Sequence, residues 1–533
     1  MGLYYSPGKE AFRQIRKAEY VDKSGMISFV NSRINVPKKF ICFTRARRFG
    51  KSYAVKMLCA YYDYSCDSGE LFQDLKIAGD GSYKTHLNQY HVIYIDITWF
   101  ISQLLSQGKS IDQIVLLMQS QVIEELASDY PQVKGGTDLP TALFQITEAT
   151  GRQFVFLIDE WDAIFREAAD NSLVKEQYLN LLRGLFKSPV TSRAIAVAYM
   201  TGILPIKKYG KQSALTDVLE LTMVNPGNLA CYVGFTEDEV KALCKEHELN
   251  YEDMKRWYDG YSFDDSGSVY NPNSVMEAIS MRNYDTYWAN TETYESLKSY
   301  IEEDFDGIQS ALKSMLSGQD VPVNIRKFQN DMSILKNRDD VFTLLIHLGY
   351  LAYDRNTKTV RIPNEEIRQE FITAIEDSEK HVELARLIVR SRQLLKDTLA
   401  MREDAVAEAI ESVHQSSAAP LFYNNEQALR SVVRTAYMVC IDEYAEIQEL
   451  PTGHGYADLV YLPRAGSPLP VLLIELKWNE SDDGAIAQIK DRKYPKQLEN
   501  LRHDILLVGI NYSENDPNKK HTCKIEKQTI QNR

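Results

Sequence analysis

Residues 43–52, FTRARRFGKS, end in residue types that hold nucleotide phosphates. In the motif G-x-x-x-x-G-K-[ST], the last glycine lets the backbone approach the phosphates, the lysine reaches the outer phosphates and the hydroxyl ligates Mg²⁺. Gly50, Lys51 and Ser52 fill these positions. Arg45 stands where the first glycine is expected, so the loop entrance must take another shape. We interpret the stretch as a phosphate-binding loop, and the alternative is a basic loop that contains GKS by coincidence.

Three arginines add positive charge to this loop, namely Arg45, Arg47 and Arg48. Guanidinium groups bind phosphate oxygens through paired hydrogen bonds. We therefore expect these arginines to bind phosphate directly and so to compensate for the missing first glycine.

An acidic pair closes the apolar run in QFVFLIDEWDAI. The carboxyl end of a buried parallel strand meets the ligand of such a sheet. We predict that Asp159 holds Mg²⁺ through water and that Glu160 orients or deprotonates an attacking water. The alternative is that both acids only cap the following helix.

A polar residue, Thr201, ends the next apolar run, SRAIAVAYMTGI. It is our candidate for a sensor of the outer phosphate, and the alternative is that it only begins a turn before Gly202. The sequence assigns no arginine finger. Together, the loop and the acids predict ATP and Mg²⁺ as cofactors, with Ser52 and Asp159 on the metal.

A second group of charged residues interrupts the apolar C-terminal run VLLIELKW. Side chains alternate along a strand, so Glu475 and Lys477 share one side with Val471 and Leu473. Asp458, at the head of the preceding apolar run, adds a second carboxylate. Two acids and a lysine that converge can bind Mg²⁺ through Asp458 and Glu475 and activate water for attack on a phosphodiester. The alternative is a structural ion pair on an edge strand.

Helical segments flank this group on both sides. In NNEQALRSVVRTAYMV, the spacing of Glu426, Leu429 and Val433 places them on one stripe and turns the acid inward, which makes it a further metal or supporting ligand. In AIAQIKDRKYPKQL, the candidates for contacts with DNA or RNA phosphates are Gln488, Lys490, Lys493 and Tyr494.

The elements that must position the N-terminal residues alternate between strand and helix. Strands are predicted for KFICFT, for HVIYIDITWF with Asp96 inside it, for QFVFLIDE and for SRAIAVAYMTGI, and a helix for KSYAVKMLCAYYDY. This alternation predicts a parallel sheet with helices. The segment GYADLVYLPRAGSPLPVLLIELKW predicts a hairpin, because a Gly/Pro/Ser turn joins two apolar runs.

The middle of the chain is mainly helical. Thr236 and Glu239 predict a capping box. Dense aromatic residues from 251 onwards indicate tight packing or, as the alternative, a stacking platform for bases. The segment DDVFTLLIHLGYLAYDRNTKTVRIPNEEIRQEF has the order helix, turn, strand, hairpin, strand, helix of a winged-helix-like unit. Such a unit either binds DNA or only supports the ATPase.

Composition limits the class of protein. A chain of 533 residues should form two to four domains, and 44% hydrophobic with 25% charged residues is typical of a globular protein. The net charge of −13 argues against coating nucleic acid with the whole surface. Seven scattered cysteines without zinc spacing indicate reduced thiols, and no stretch approaches roughly 18 apolar residues, so the cytoplasm is expected and a membrane is not.

The quoted motifs, together with YVDKSGMI, ELFQDLKI, WYDGYSF, YNPNSV, YWANT and IPNEE, resemble the bacterial AAA-ATPase-like family. Its members pair an N-terminal P-loop domain with a C-terminal PD-(D/E)XK nuclease-like domain. Its loop usually reads R-P-R-R-F-G-K-S, so Arg45 is the family's own entrance residue. Ala46 replaces the usual proline, which should leave the loop less rigid, and Ala457 stands where arginine often precedes the aspartate.

The resemblance implies an α/β protein with a P-loop NTPase domain at 1–230, a helical lid and winged-helix-like region at 231–375, a helical linker at 376–420 and a restriction-endonuclease-like domain at 421–533. It implies ATP binding, with Asp458, Glu475 and Lys477 in the nuclease pattern and Glu426 as its helical acid. We therefore expect an ATPase and Mg²⁺-dependent nuclease that acts on DNA or RNA. The alternative is a nucleotide-dependent switch or scaffold whose C-terminal domain only binds nucleic acid or a protein. Assembly into a homo-oligomer is compatible with both.

Overall fold

The structure is a computed structural model. It describes residues 2–133, 137–168, 170–206, 217–263, 267–288, 293–303, 305, 307–328, 335–417, 426–452, 455–464, 467–491, 504–516 and 521–529. The chain divides into two compact units, Met1–Glu292 with Pro322–Ile367, and Thr293–Val321 with Arg368–Arg533.

A parallel sheet forms the centre of the first unit. Its strands are β1 (Phe40–Thr44), β2 (His91–Asp96), β3 (Phe154–Asp159), β4 (Ile195–Gly202) and β5 (Val218–Leu221), in the spatial order β2-β3-β4-β1-β5. Every residue of β1, β3 and β4 is buried, as expected for central strands covered on both faces. The predicted parallel α/β sheet is therefore confirmed, and β4 places the ends of β1 and β3 on either side of its own end.

Helices accompany this sheet along the chain. They are α1 (Glu10–Lys17), α2 (Gly25–Asn31), α3 (Lys51–Tyr62), α4 (Tyr83–His86), α5 (Ile97–Ser106), α6 (Ile114–Asp129), α7 (Leu139–Thr150), α8 (Ala163–Glu167), α9 (Ser172–Phe186) and α10 (Pro189–Ala194). Buried residues such as Phe100, Leu143 and Leu182 pack with strand residues Ile95 and Phe156 in one core. The predicted strand HVIYIDITWF ends at Asp96, which instead caps α5 by accepting a hydrogen bond from the Trp99 amide.

The middle of the chain follows the predicted order. Its elements are β6 (Phe235–Thr236), α11 (Glu237–Glu246), α12 (Tyr251–Tyr258), β7 (Tyr261–Phe263), β8 (Gly267–Tyr270) and α13 (Pro272–Met281), and later α16 (Arg338–Leu348), β10 (Ala352–Asp354), β11 (Thr359–Arg361) and α17 (Glu365–Glu376). The capping box of Thr236 and Glu239 is present. Tyr258, Tyr261 and Tyr270 are fully buried, which favours packing over a stacking platform for these three rings.

The second unit contains a mixed sheet. Its helices are α14 (Thr293–Ile301), α15 (Ile308–Leu316), α18 (Val382–Leu399), α19 (Glu403–Ser417), α20 (Glu426–Ala436), α21 (Cys440–Glu443) and α22 (Asp482–Asp491). The short strand β9 (Val321–Pro322) and α17 each contain a boundary between the units. The sheet strands are β12 (Tyr444–Thr452), β13 (Gly455–Pro463), β14 (Val471–Trp478), β15 (Ile505–Tyr512) and β16 (His521–Gln528), in that spatial order.

The predicted hairpin is formed by β13 and β14, which pair antiparallel, whereas β14 and β15 pair parallel. The strand that carries Glu475 and Lys477 therefore lies at the centre of the sheet, and the alternative of an edge strand is wrong.

All seven cysteines are unpaired thiols, and Cys42, Cys59, Cys244, Cys440 and Cys523 are buried. Of the helices in the described ranges, none combines the length and the apolar character that a membrane crossing needs.

Candidate functional sites

The loop between β1 and α3 leads directly into the N-terminus of a helix. Gly50 precedes α3 with a φ of 91°, in the left-handed region that favours glycine. Glycine has no side chain that could cap the helix, which leaves the first-turn N–H groups open to a ligand. A helix N-terminus with such groups binds phosphate oxygens.

Lys51 is the first residue of α3 and lies close to the predicted catalytic acid. Its Nζ donates to the carbonyl oxygen of Ala46 over 3.1 Å and stands 3.7 Å from Oε1 of Glu160. Only 4% of the lysine side chain is exposed. The structure therefore brings together the cation and the carboxylate that the sequence placed far apart along the chain.

Asp159 ends β3 beside the end of β4, where two other predicted site residues act on it. The Ser52 side chain lowers the pKa of its carboxyl, and Thr201 Oγ1 donates to Oδ1 over 3.3 Å. The order of the strands explains this meeting, because Thr201 lies on β4 between the ends of β1 and β3.

The charges around Asp159 fit a divalent cation. Burial and the neighbouring charges of Glu160 and Asp96 raise the pKa of Asp159 to about 6, although Ser52 and Lys51 act in the opposite direction. Burial also raises the pKa of Asp96. The negative charge of these carboxylates is not fully compensated by nearby cations. Carboxylate oxygens in such surroundings bind Mg²⁺.

Glu160 is held in an unusual backbone conformation. Its φ is 50°, which is uncommon for a residue with a side chain. Arg166 Nη2 donates to Oε2 over 2.6 Å. Burial opposes ionisation, but Lys51, Arg166 and Arg47 together hold the pKa of Glu160 below its usual value. The carboxylate therefore stays ionised, as a proton acceptor must.

Arg166 was not among the predicted site residues. It lies on α8, where Nε also contacts Asp162 Oδ2 over 3.2 Å. Asp162 is fully buried and accepts hydrogen bonds from the backbone amides of Ile203 and Leu204. The four-residue spacing of Asp162 and Arg166 is the usual helical ion-pair spacing, and this signal could have identified the pair from the sequence.

Arg45 occupies a different environment from the one we predicted. Its guanidinium is fully buried, 4.6 Å from the ring centroids of Phe43 and Phe263. Nη1 donates to the carbonyl oxygens of Thr44 and Thr222. Burial lowers the pKa of Arg45 to about 9. This position does not support the prediction that Arg45 binds phosphate. Its buried contacts instead stabilise the loop.

The other two arginines lie nearer the surface. Arg48 is exposed, has a φ of 66°, and donates through Nη1 to the carbonyl oxygen of Tyr287 over 2.6 Å. Arg47 is half-buried, and its charge acts on Glu160. Of the three loop arginines, Arg47 is therefore the one whose charge acts on the predicted catalytic acid.

Residues far along the chain pack against the loop. A Cβ added at Gly349, whose φ is 91°, would meet the Cβ of Ala46 at 2.5 Å. The rings of Phe49 and Tyr261 stand edge to face with centroids 5.3 Å apart. Ala46 and Phe49 are fully buried. These contacts hold the loop where the expected proline is absent.

In the second unit, Asp458 and Glu475 lie at the same end of the paired stretch of the hairpin. The register pairs Leu459 with Ile474, and Asp458 and Glu475 are the residues next to this pair on β13 and β14. Asp458 Oδ2 also accepts from the Leu476 amide over 2.9 Å, which fixes its carboxylate against β14.

Gln488 of α22 connects the predicted acid and lysine. Its Nε2 donates to Glu475 Oε1 over 2.5 Å, and its Oε1 accepts from Lys477 Nζ over 2.5 Å. Glu475 is 2% exposed. Gln488, which we predicted to touch nucleic acid, therefore positions these two side chains.

Two residues of α20 stand beside these groups. Arg430 Nη2 contacts Asp458 Oδ1 over 2.6 Å, a partner that our predictions did not include. Glu426 is exposed, which differs from the predicted inward orientation, but the charges of Asp458, Lys477 and Arg430 act on its carboxyl. Desolvation and then Asp458 raise the pKa of Glu426. This excess of negative charge fits a divalent cation, which would replace Arg430 at Asp458.

The remaining predicted nucleic-acid contacts are only partly described. Lys490 is half-exposed and lies 2.6 Å from Glu526 Oε2. Lys493 and Tyr494 lie outside the described residues. Within the described ranges, the groups of three His, Cys, Asp or Glu residues with ligand atoms within 4.8 Å of one another do not include Asp458 and Glu475.

Two families match separate parts of the chain. The family described as "Predicted AAA-ATPase" matches residues 7–210, and the PD-(D/E)XK nuclease superfamily matches residues 424–522. A similar solved structure is that of the Aeropyrum pernix ORC2 protein in ADPNP-ADP complexes, with 13% identity and a TM-score of 0.30 over 63% of this chain and 87% of that chain. Among the curated proteins, none matches the sequence. The two matched ranges contain the two sites described above.

Proposed function

We propose that this chain is an ATP-regulated and Mg²⁺-dependent nuclease that acts on DNA or RNA. It joins a domain of the predicted AAA-ATPase family to a domain of the PD-(D/E)XK nuclease superfamily. The observation that carries the nuclease half is the contact of Asp458 with the Leu476 amide beside Glu475 on β14, with Lys477 linked to Glu475 through Gln488. The domain limits proposed are 1–230, 231–375, 376–420 and 421–533. The unpaired thiols support a reducing compartment such as the cytoplasm.

At the first site, the chain would bind and hydrolyse ATP. Lys51 and the N–H groups at the start of α3 would bind the phosphates, and Ser52 and Asp159 would hold Mg²⁺. Glu160, ionised and held by Arg166, would accept a proton from the attacking water. Thr201 would orient these groups through its hydrogen bond to Asp159.

At the second site, Asp458 and Glu475 would hold Mg²⁺, with Glu426 as a further ligand. A bound Mg²⁺ would polarise the phosphodiester and lower the pKa of its water. Lys477 would position the attacking water or neutralise charge that develops on the phosphate. Gln488 keeps the ammonium beside the carboxylate, so that both groups act at one point.

Two substitutions test this function separately. Lys51→Ala should abolish ATP hydrolysis and remove any effect of ATP on cleavage. Glu475→Gln should abolish cleavage of labelled DNA and RNA in Mg²⁺ or Mn²⁺ and leave ATP hydrolysis intact. The matched controls are Lys56→Ala on the same helix and the exposed Glu443→Gln. Cleavage that continues in Glu475→Gln would refute the nuclease assignment.

A second candidate function is a nucleotide-dependent switch or scaffold. Two observations favour it, the Arg430–Asp458 ion pair and the hydrogen bonds that link Lys477 to Glu475 through Gln488. These contacts compensate part of the buried charge without a metal ion. A protein that binds ATP and nucleic acid but cleaves neither DNA nor RNA, alone or with an added partner, would support the switch.

A further inference from the structure

A cluster of three metal-ligating side chains lies in the second unit, apart from the residues assigned above. Glu411 and His414 are three residues apart on α19, and His521 begins β16. One ligand atom from each lies within 4.8 Å of the other two. Glu411 Oε2 is 2.6 Å from His521 Nδ1 and also accepts from the His521 amide over 3.2 Å.

Burial distinguishes this cluster from an ordinary surface pair. The His521 side chain is 0% exposed and that of Glu411 is 18% exposed. His414 is 8% exposed, and its ring stands edge to face with that of His521 at 5.3 Å between centroids. Tyr512, which pairs with His521 in the sheet, covers both imidazoles at 5.2 and 4.9 Å.

We propose that Glu411, His414 and His521 bind a transition-metal ion of the Zn²⁺ type. Two imidazoles and one carboxylate are a common set of protein ligands for Zn²⁺, with water at the fourth position. Ligand atoms of a tetrahedral zinc site lie roughly 3.4 Å apart, so small side-chain adjustments close the cluster around an ion. Mg²⁺ prefers oxygen ligands, and this site therefore differs in metal preference from the acids near Lys477.

The position of the cluster indicates what the ion does. β16 is the last strand in the order of the sheet, and edge strands need protection or pairing. An ion held by α19 and β16 would fasten this strand to the helix that precedes the residues matched by the nuclease superfamily. The ring of Trp478, next to Lys477, contacts that of Tyr512 in a tilted arrangement with centroids 4.7 Å apart. The ion would therefore also stiffen the end of β14 next to the predicted nuclease residues.

Metal titration of the full-length chain tests the proposal. The protein is stripped with a chelator and titrated with Zn²⁺ against a chromophoric competitor, and with Co²⁺ followed by visible absorption. We expect one tight equivalent, the absorption bands of tetrahedral Co²⁺, and a higher melting temperature with Zn²⁺. His414→Asn and Glu411→Gln should weaken binding by more than about 100-fold, because even outer-shell changes cost about 10- to 100-fold.

The chain offers matched controls for this experiment. Glu411→Gln can still hydrogen-bond to His521, so the metal-free variant should fold, which circular dichroism checks. His247→Asn removes the histidine of the more exposed group Glu19, Glu246 and His247, and Glu475→Gln removes an acid of the predicted nuclease site. Both variants should still bind one equivalent of Zn²⁺ tightly. A stripped wild-type chain that binds no Zn²⁺ tightly, or equal affinity in His414→Asn and wild type, would overturn the proposal.

Discussion

Arg166 donates a 2.6 Å hydrogen bond to the carboxylate of Glu160, the acid predicted to activate water. Lys51 stands on the other side of the same carboxylate, 3.7 Å from Oε1. The backbone of Glu160 has a φ of 50°, in the left-handed region. Two cations and a restricted backbone thus fix both the charge and the direction of this side chain, and its role can be tested separately from nucleotide binding.

Replacing Glu160 by glutamine should stop turnover without stopping binding. The amide keeps the size of the side chain but cannot accept the proton, so ATP hydrolysis should fall by about 100-fold or more. Phosphate release measures hydrolysis, and a fluorescent ATP analogue measures binding. Glu167→Gln, an exposed acid at the end of α8, is the control. Equal hydrolysis in Glu160→Gln and wild type would exclude the predicted role.

Arg166→Met should alter the pH dependence of hydrolysis. Arg166 is among the charges that keep the pKa of Glu160 low. Its removal raises that pKa, so the acidic limb of the activity profile should move to higher pH. The measurement is kcat against pH, with Arg183→Met on α9 as the control. A lower rate with an unmoved limb would mean that Arg166 acts only on the fold.

Asp159 should make the nucleotide-free protein sensitive to pH. Its pKa is raised from 3.8 to about 6 in the folded chain, so the folded state binds the proton more tightly than the unfolded state. Stability should therefore decrease as the pH rises from about 4 through about 6. The same protonation should weaken Mg²⁺-dependent ATP binding as the pH falls below about 6.

Thermal melting and ATP titration across this pH range check both statements about Asp159. In Asp159→Asn the melting temperature and the ATP affinity should both depend less on pH, because the amide does not titrate. Profiles that are identical in the variant and the wild type would assign the effect to another group.

The strands and the acids at their ends were predictable because they depend on local patterns. Buried apolar runs identify β3 and β4, and acids or hydroxyls directly after such runs, as at Asp159 and Thr201, must meet at one edge of a parallel sheet. Likewise, alternation along β14 was enough to place Glu475 and Lys477 on one face.

The partners that come from distant segments were not predictable in this way. Arg45 has the charge of a phosphate ligand, but Phe263 and the Thr222 carbonyl, far along the chain, enclose it. Arg430 reaches Asp458 on β13 from the helix α20. Such contacts depend on how elements pack together, and spacing within one segment carries no information about them.

The contact between Gly349 and Ala46 predicts that the middle of the chain controls the phosphate loop. An alanine at Gly349 would place a Cβ 2.5 Å from that of Ala46, at a φ of 91°. The left-handed backbone should cost about 1–2 kcal/mol and the overpacking about 1–3 kcal/mol more. Chemical denaturation should show this loss, and ATP affinity should fall with it.

Gly151→Ala is the matched control for this substitution. Gly151 also has a positive φ, 69°, but a Cβ there would meet nothing within 4 Å. It should lose only the backbone contribution of about 1–2 kcal/mol and keep its ATP affinity. If both variants bind ATP as the wild type does, packing on Ala46 is not what shapes the loop.

Arg430 should compete with a metal ion for Asp458, because its guanidinium occupies Oδ1 at 2.6 Å. In Arg430→Met this ion pair is lost while the aliphatic volume is kept, so Mn²⁺ affinity at the second site should rise about tenfold. That change corresponds to about 1.4 kcal/mol, close to the value of a hydrogen bond to a charged group. Isothermal titration with Mn²⁺ measures it, with the exposed Arg386→Met as the control. A lower affinity in Arg430→Met would instead show that Arg430 organises Asp458 for the metal.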